Sequence, residues 1–208
     1  MQPYCCLAVD GGGIRGLYSA AILDCLMRRF SARRGVGKLD VGRGFDLVTG
    51  TSTGGLLACG LAHGCSPARL VELYRTCGPK IFNGERMPAG GLFRFLPWAW
   101  RHRSKPMHDS NGSLRQALTE IFGNETLGSL FERRSIAVCV PTIRLLTESP
   151  RVFKTAHLGD EYRRDDAVSV VDVCLATSAA PVFLPLAMIK DKKKWDGRTQ
   201  RRWRPLDE

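Results

Sequence analysis

The stretch Phe45-Asp46-Leu47-Val48-Thr49-Gly50-Thr51-Ser52-Thr53-Gly54-Gly55-Leu56-Leu57-Ala58-Cys59-Gly60-Leu61-Ala62 decides how this chain folds. Phe45 to Thr49 reads as a short strand and Leu56 to Ala62 as a buried helix, with G-x-S-x-G between them, from Gly50 to Gly54. A serine flanked by small residues at such a junction sits on a sharp, strained turn that projects its hydroxyl outward, a nucleophile elbow. The plainer reading of the same residues is a tight strand–helix turn with a capping serine.

The same order occurs once upstream. Tyr4 to Val9 is an apolar run ending at Asp10; Gly11-Gly12-Gly13-Ile14-Arg15-Gly16 follows, and then a predicted helix over Leu17 to Phe30. In that helix Leu17, Ala21, Cys25 and Leu26 recur at helical spacing, and Arg28 and Arg29 stand near the C-terminal end that favours cations. Gly11 to Gly16 fits G-x-G-x-x-G, which alone suggests a nucleotide pyrophosphate at a helix N-terminus. That reading needs an acidic residue closing a second strand about 20 residues further on. Asp40 is the nearest, and Gly35 to Leu39 before it makes a poor strand. Beside Ser52 the first glycine turn has another use. If the serine attacks a carbonyl, the Gly12 and Gly13 amides can hold the developing oxyanion at about 3 Å. Adjacent parallel strands would bring both turns over one end of a sheet.

Downstream, Pro67 opens a helix behind the capping Ser66, with Leu70, Leu73 and Tyr74 on one side. Asn111 to Ile121 reads as a helix, Arg134 to Ile143 as a strand whose Pro141 suggests an end leaving the sheet, Arg151 to Thr155 as a strand and Val168 to Ala176 as a helix. This alternation predicts one three-layer α/β/α domain over residues 1–208 with a largely parallel central sheet. Residues 78–105 break the pattern. Within them Phe93, Phe95, Trp98 and Trp100 stand among basic residues including Arg101 and Arg103, which predicts a lid or a contact with an anionic membrane surface; a loop folded onto the domain is the plainer reading. Residues 190–208 form a basic tail or insertion carrying Trp195 and Trp203.

Composition narrows the classes. Of 208 residues, 44% are hydrophobic, which excludes disordered and fibrous chains. Lys and Arg number 31 against 20 Asp and Glu, a net +11 that favours an anionic partner. No recognised nucleic-acid motif is present, so a phosphate-bearing lipid surface is expected rather than nucleic acid. The eight cysteines form no CxxC pair, so neither zinc nor redox chemistry is indicated, and reduced, mostly buried thiols are expected. Met1 to Asp10 lacks the basic and apolar regions of a secretory signal, and the longest apolar stretch, Ala176 to Ile189, is too short to span a bilayer. A cytoplasmic protein, at most peripheral at the inner membrane surface, is therefore expected.

Asp10-Gly11-Gly12-Gly13-Ile14-Arg15-Gly16, Gly50-Thr51-Ser52-Thr53-Gly54-Gly55 and Ala176-Thr177-Ser178-Ala179-Ala180-Pro181 resemble, in that order, three signatures of the patatin-like phospholipase family. Phe153-Lys154-Thr155-Ala156-His157 is similar to a segment that precedes the third in bacterial members. The resemblance implies a patatin-like fold and a serine acyl hydrolase that cleaves fatty-acyl esters of glycerophospholipids with a Ser-Asp dyad, without metal, cofactor or catalytic histidine. It makes Ser52 the nucleophile and Gly12 and Gly13 the oxyanion hole, supported by Gly11, Arg15, Gly16, Gly50 and Gly54.

The family aspartate stands in Asp-Gly-Gly or Asp-Gly-Ala after the third signature. Here Asp196-Gly197 is followed by Arg198 and preceded by Lys192-Lys193-Lys194-Trp195, a charged run where an apolar strand belongs. Three readings stand open: Asp196 is the base, the base lies beyond residue 208, or the domain is an inactive lipid- or protein-binding module. Among the histidines, His63 follows Ser52 on one predicted helix, on the order of 16 Å along its axis, too far for proton transfer. His102 and His108 fall in or near the 78–105 segment, and His157 follows a strand. Some bacterial members are switched on by signalling nucleotides; the resemblance permits such an activator and no residue specifies it.

Overall fold

Two strand–turn–helix units open the chain: β1 (Cys6–Val9) with α1 (Gly16–Arg34), then β2 (Leu47–Gly50) with α2 (Thr53–His63). The structure, a computed structural model, describes residues 3–81, 108–179, 187 and 189. After α2 come α3 (Pro67–Ile81), α4 (His108–Phe122), α5 (Leu127–Arg134), β3 (Ala137–Arg144), β4 (Ser149–Lys154) and α6 (Val170–Ser178). The sheet order is β1-β2-β3-β4. β1, β2 and β3 run parallel and β4 returns antiparallel to β3. This is the expected three-layer α/β/α class, a mixed, largely parallel central sheet flanked by helices.

Helix α2 lies at the centre because it is apolar or small all round, as a helix without a solvent face must be. Every residue from Thr53 to Ala62 is buried. A Cβ on Gly50 would meet the Gly54 backbone, and one on Gly55 would meet Val140 Cγ1 and Thr177 Cγ2. Gly50 and Val140 therefore face α2, and alternation along the strands puts Val48 and Val138, both fully buried, on that face too. Cys6 and Ala8, on the opposite face, are exposed, and Leu47, Thr49 and Cys139 part-buried.

Four expectations are corrected. On α1 the stripe Leu17, Ala21, Cys25 and Leu26 is only partly what packs: Leu17 is part-buried against the core, but Ala21, Cys25 and Leu26 are exposed, and the buried residues are Gly16, Ala20, Met27 and Ser31. At the start of α1 a small residue is required because the helix lies close to its neighbours; a Cβ on Gly16 would stand 3.0 Å from both Thr53 Cβ and the Tyr74 hydroxyl. The strand does not leave the sheet at Pro141. That residue pairs with Val152 inside β3, which runs on to Arg144. The last pair with β2 is Thr49–Cys139, so at Pro141 the strand is paired on one side only and a residue lacking N–H is tolerated. Arg134 belongs to helix α5, which the periodicity did not reveal, and not to the strand that follows. The thiols are not mostly buried: of the described cysteines Cys59 and Cys174 are buried, while Cys5, Cys6 and Cys25 are exposed. No helix among the described residues is long and apolar enough to cross a membrane.

Candidate active site

Parallel pairing of β1 with β2 places Val9 opposite Gly50, so both glycine turns leave the sheet at the same end. Ser52 takes φ 53° and ψ −125° between β2 and α2. That is the conformation of the first central residue of a type II′ turn, a position glycine dominates. Its side chain is part-buried, and its carbonyl accepts from Leu56 N–H at 3.1 Å, already within the first turn of α2. The N-terminal end of α2, favourable to negative charge, thus begins at the serine.

The two turns touch through backbone. A Cβ on Gly11 would lie 2.5 Å from Thr51 O and 3.0 Å from Ser52 Cβ; one on Gly54 would lie 2.1 Å from Val9 O. Neither place admits a side chain. Gly12 and Gly13 both have positive φ, 148° and 59°, and lead into a 3-10 turn at Gly13–Arg15 that runs on into α1. Arg15 N–H donates to Gly12 O at 3.2 Å, and among the described residues the Gly12 and Gly13 N–H groups donate to no backbone carbonyl. The turn's contact with the serine is made at Gly11. Arg15 is exposed, and its aliphatic stem lies over Gly12.

Two residues outside the glycine turns hold the elbow. Tyr74 of α3 donates its hydroxyl to Thr53 O at 2.7 Å, and burial, with a lesser contribution from the Cys174 thiol, pushes that phenol well above its ordinary range. Thr177 of α6 accepts from Ser52 N–H at 2.9 Å and donates to Pro141 O at 2.8 Å. Neither contact was legible in advance. Tyr74 reads as one apolar residue among others, and Thr177 carries no local signal beyond its place in the third signature.

Among the described residues no imidazole or carboxylate bonds Ser52 Oγ. His63, at the far end of α2, is committed to Glu125 and to Arg133 and sets its ring edge-on to Phe122 at 5.3 Å. His157 Nδ1 lies 3.0 Å from Thr155 O. Asp40, the acid a nucleotide site would need, closes no strand and is ion-paired to Arg134 at 2.6 Å. Asp196, Phe93, Phe95, Trp98, Trp100, Arg101 and Arg103 lie outside the described residues, as does the 190–208 tail. No group of three or more His, Cys, Asp or Glu side chains able to hold a metal ion occurs among the described residues.

Comparison with known proteins gives the same outline. A family model described as patatin-like phospholipase matches residues 7–199. A cGAMP-activated phospholipase of Vibrio cholerae is 37% identical over 181 residues, covering 85% of this chain and 48% of the relative. A cGAMP-activated phospholipase of Pseudomonas aeruginosa is 39% identical over 187 residues, 90% of this chain and 50% of the relative. Patatin-like protein 1 of Oryza sativa is 32% identical over 186 residues, 86% of this chain and 41% of the relative. The chain spans about half the length of the curated relatives it matches.

Proposed function

The chain belongs to the patatin-like phospholipase family, and from that premise we propose that it hydrolyses fatty-acyl esters of glycerophospholipids by attack of Ser52. The observation that supports this reading is the meeting of a positive-φ serine with a glycine turn whose Gly12 and Gly13 amides donate to no backbone carbonyl among the described residues. A capping serine has no need of such backbone. It would take an extended conformation and bond an amide in the first turn of its helix, whereas Ser52 caps with no side-chain hydrogen bond.

In the proposed reaction an aspartate, Asp196 or one beyond residue 208, accepts the Ser52 proton as Oγ attacks the acyl carbonyl. The Gly12 and Gly13 N–H groups hold the tetrahedral oxyanion, and the N-terminus of α1 adds favourable potential. The aspartate returns that proton to the departing alkoxide, which leaves as the alcohol of lysophospholipid, and the acyl group stays on Ser52. Water then attacks the ester with the same aspartate as base, releasing the fatty acid and restoring the serine. A serine hydroxyl without a base is a feeble nucleophile, so the aspartate is the part of the proposal that most needs a test.

The proposal extends to the surroundings of the site. The net charge of +11 supports peripheral contact with an anionic membrane, with Phe93, Phe95, Trp98, Trp100, Arg101 and Arg103 as the contacting side chains. Activation by a cyclic dinucleotide is carried over from the bacterial relatives. A fluorophosphonate probe tests the core of it. It should label the wild-type chain and not Ser52→Ala, and phospholipid hydrolysis, with and without cGAMP, should vanish in the same variant. Equal labelling of both would remove Ser52 from the mechanism. Vesicle flotation that ignores Trp98→Ala, Trp100→Ala and lipid charge would remove the membrane contact.

A further inference from the structure

The third signature carries no chemistry in the mechanism above, yet one of its side chains reaches the serine. Thr177 Oγ accepts from Ser52 N–H and donates to Pro141 O, at 2.9 and 2.8 Å. Both directions are fixed, because an amide can only donate and a carbonyl can only accept, so the hydroxyl has one orientation. The link joins three segments remote in sequence: the β2–α2 elbow, β3 and the last turn of α6. Shape reinforces it. A Cβ on Gly55 would lie 2.8 Å from Thr177 Cγ2, so the methyl is seated against the start of α2.

Among the described residues the Ser52 amide has no other partner. It lies two residues beyond the end of β2 and just before α2, so neither the sheet ladder nor the helix offers it a carbonyl. We propose that Thr177 is a positioning residue for Ser52: its hydroxyl holds the serine backbone at positive φ and thereby aims Oγ at the carbonyl of the substrate. The same bond takes the Ser52 N–H out of the oxyanion hole and leaves that task to the first glycine turn. This inference rests on Ser52 being the nucleophile, whereas its backbone half stands without that reading.

Two pairs of chains isolate the hydroxyl. Wild type and Thr177→Val share one shape and differ in hydrogen bonding; Thr177→Ser and Thr177→Ala both lack the methyl and differ only in the hydroxyl. In the full chain Thr177→Val should be labelled by fluorophosphonate about 100-fold more slowly than wild type, the scale of a misplaced reacting group. With a soluble acyl ester kcat should fall with it while KM stays unchanged. Thr177→Ser should stay within about threefold of wild type and Thr177→Ala should fall with the valine variant. If the valine chain does not fold, the serine and alanine pair decides. Exchange of the Ser52 amide hydrogen, followed by NMR, reads the backbone independently of activity. It should be slow in wild type and Thr177→Ser and at least about tenfold faster in Thr177→Val. A folded valine or alanine variant with the wild-type labelling rate overturns the inference, and so does unchanged amide exchange. A wild-type chain that is never labelled instead overturns Ser52 as nucleophile, and the exchange measurement then judges the Thr177 contact by itself.

Discussion

Replacing Ser52 by glycine should leave a more stable protein than replacing it by alanine, with both variants inactive. Ser52 is held at φ 53° and ψ −125° with a Cβ attached, 3.0 Å from where a Gly11 Cβ would stand. A non-glycine residue in such a region costs about 1–3 kcal/mol. Glycine loses more backbone freedom on folding than alanine, by about 0.5–1 kcal/mol. Ser52→Ala keeps the Cβ and the strain, and Ser52→Gly removes both, so the glycine chain should be the more stable of the two by about 1 kcal/mol. For a domain of this size that is about 2–4 °C in Tm. Urea unfolding at neutral pH of wild type, Ser52→Ala and Ser52→Gly, with fluorophosphonate labelling of the same samples, provides the comparison. If Ser52→Gly equals Ser52→Ala in stability or falls below it, the elbow is not strained and the reasoning fails.

Gly54→Ala puts a Cβ 2.1 Å from Val9 O, backbone against backbone, and should cost at least about 3 kcal/mol in thermal or urea unfolding, beyond ordinary overpacking. Gly11→Ala, 2.5 Å from Thr51 O, should slow probe labelling by more than its loss of stability accounts for, because the displaced group is the serine's own turn. Asp165, fully buried, accepts from Arg151, Arg164 and Lys154 N–H; Asp165→Asn should cost about 3 kcal/mol through the charges it leaves behind, read by urea unfolding. Thiol chemistry sets the alkaline limb. A hydrogen bond with Cys59, and burial, raise Cys174 well above the ordinary range, and burial raises Cys65 and Cys139. Unfolded thiols ionise near about pH 8.5 while these stay protonated in the fold, so the native state binds more protons and stability falls as pH rises past that point. Between about pH 8 and pH 10 the slope of stability against pH should be shallower in Cys174→Ala than in wild type.

The two strand–glycine–helix units were legible because each is a local signature of small residues between an apolar run and a helical one. Their meeting was legible too, since neighbouring parallel strands must deliver their ends together. What escaped the sequence depends on partners. That α1 buries Gly16 at its start depends on the proximity of Tyr74 and Thr53, which hydrophobic periodicity does not show. Helix α5 announces itself only through the reciprocal Thr126–Ser129 capping box, easily passed over without a glutamate at the second position. Pro141 reads as the point where the strand leaves the sheet until β4 is seen to pair with it. Thr177 lies 125 residues from the serine it touches, and no periodicity spans that distance.

Where β1, the elbow and the start of α2 meet, Val9 O, Thr51 O and the glycine backbones lie nearly in contact. No rotamer stands between them, so this junction has no adjustable parts. Mutation can break it but has almost nothing with which to retune it. Any change meant to retune the proposed hydrolase has to be made in the side chains around this junction and not in the glycines that form it.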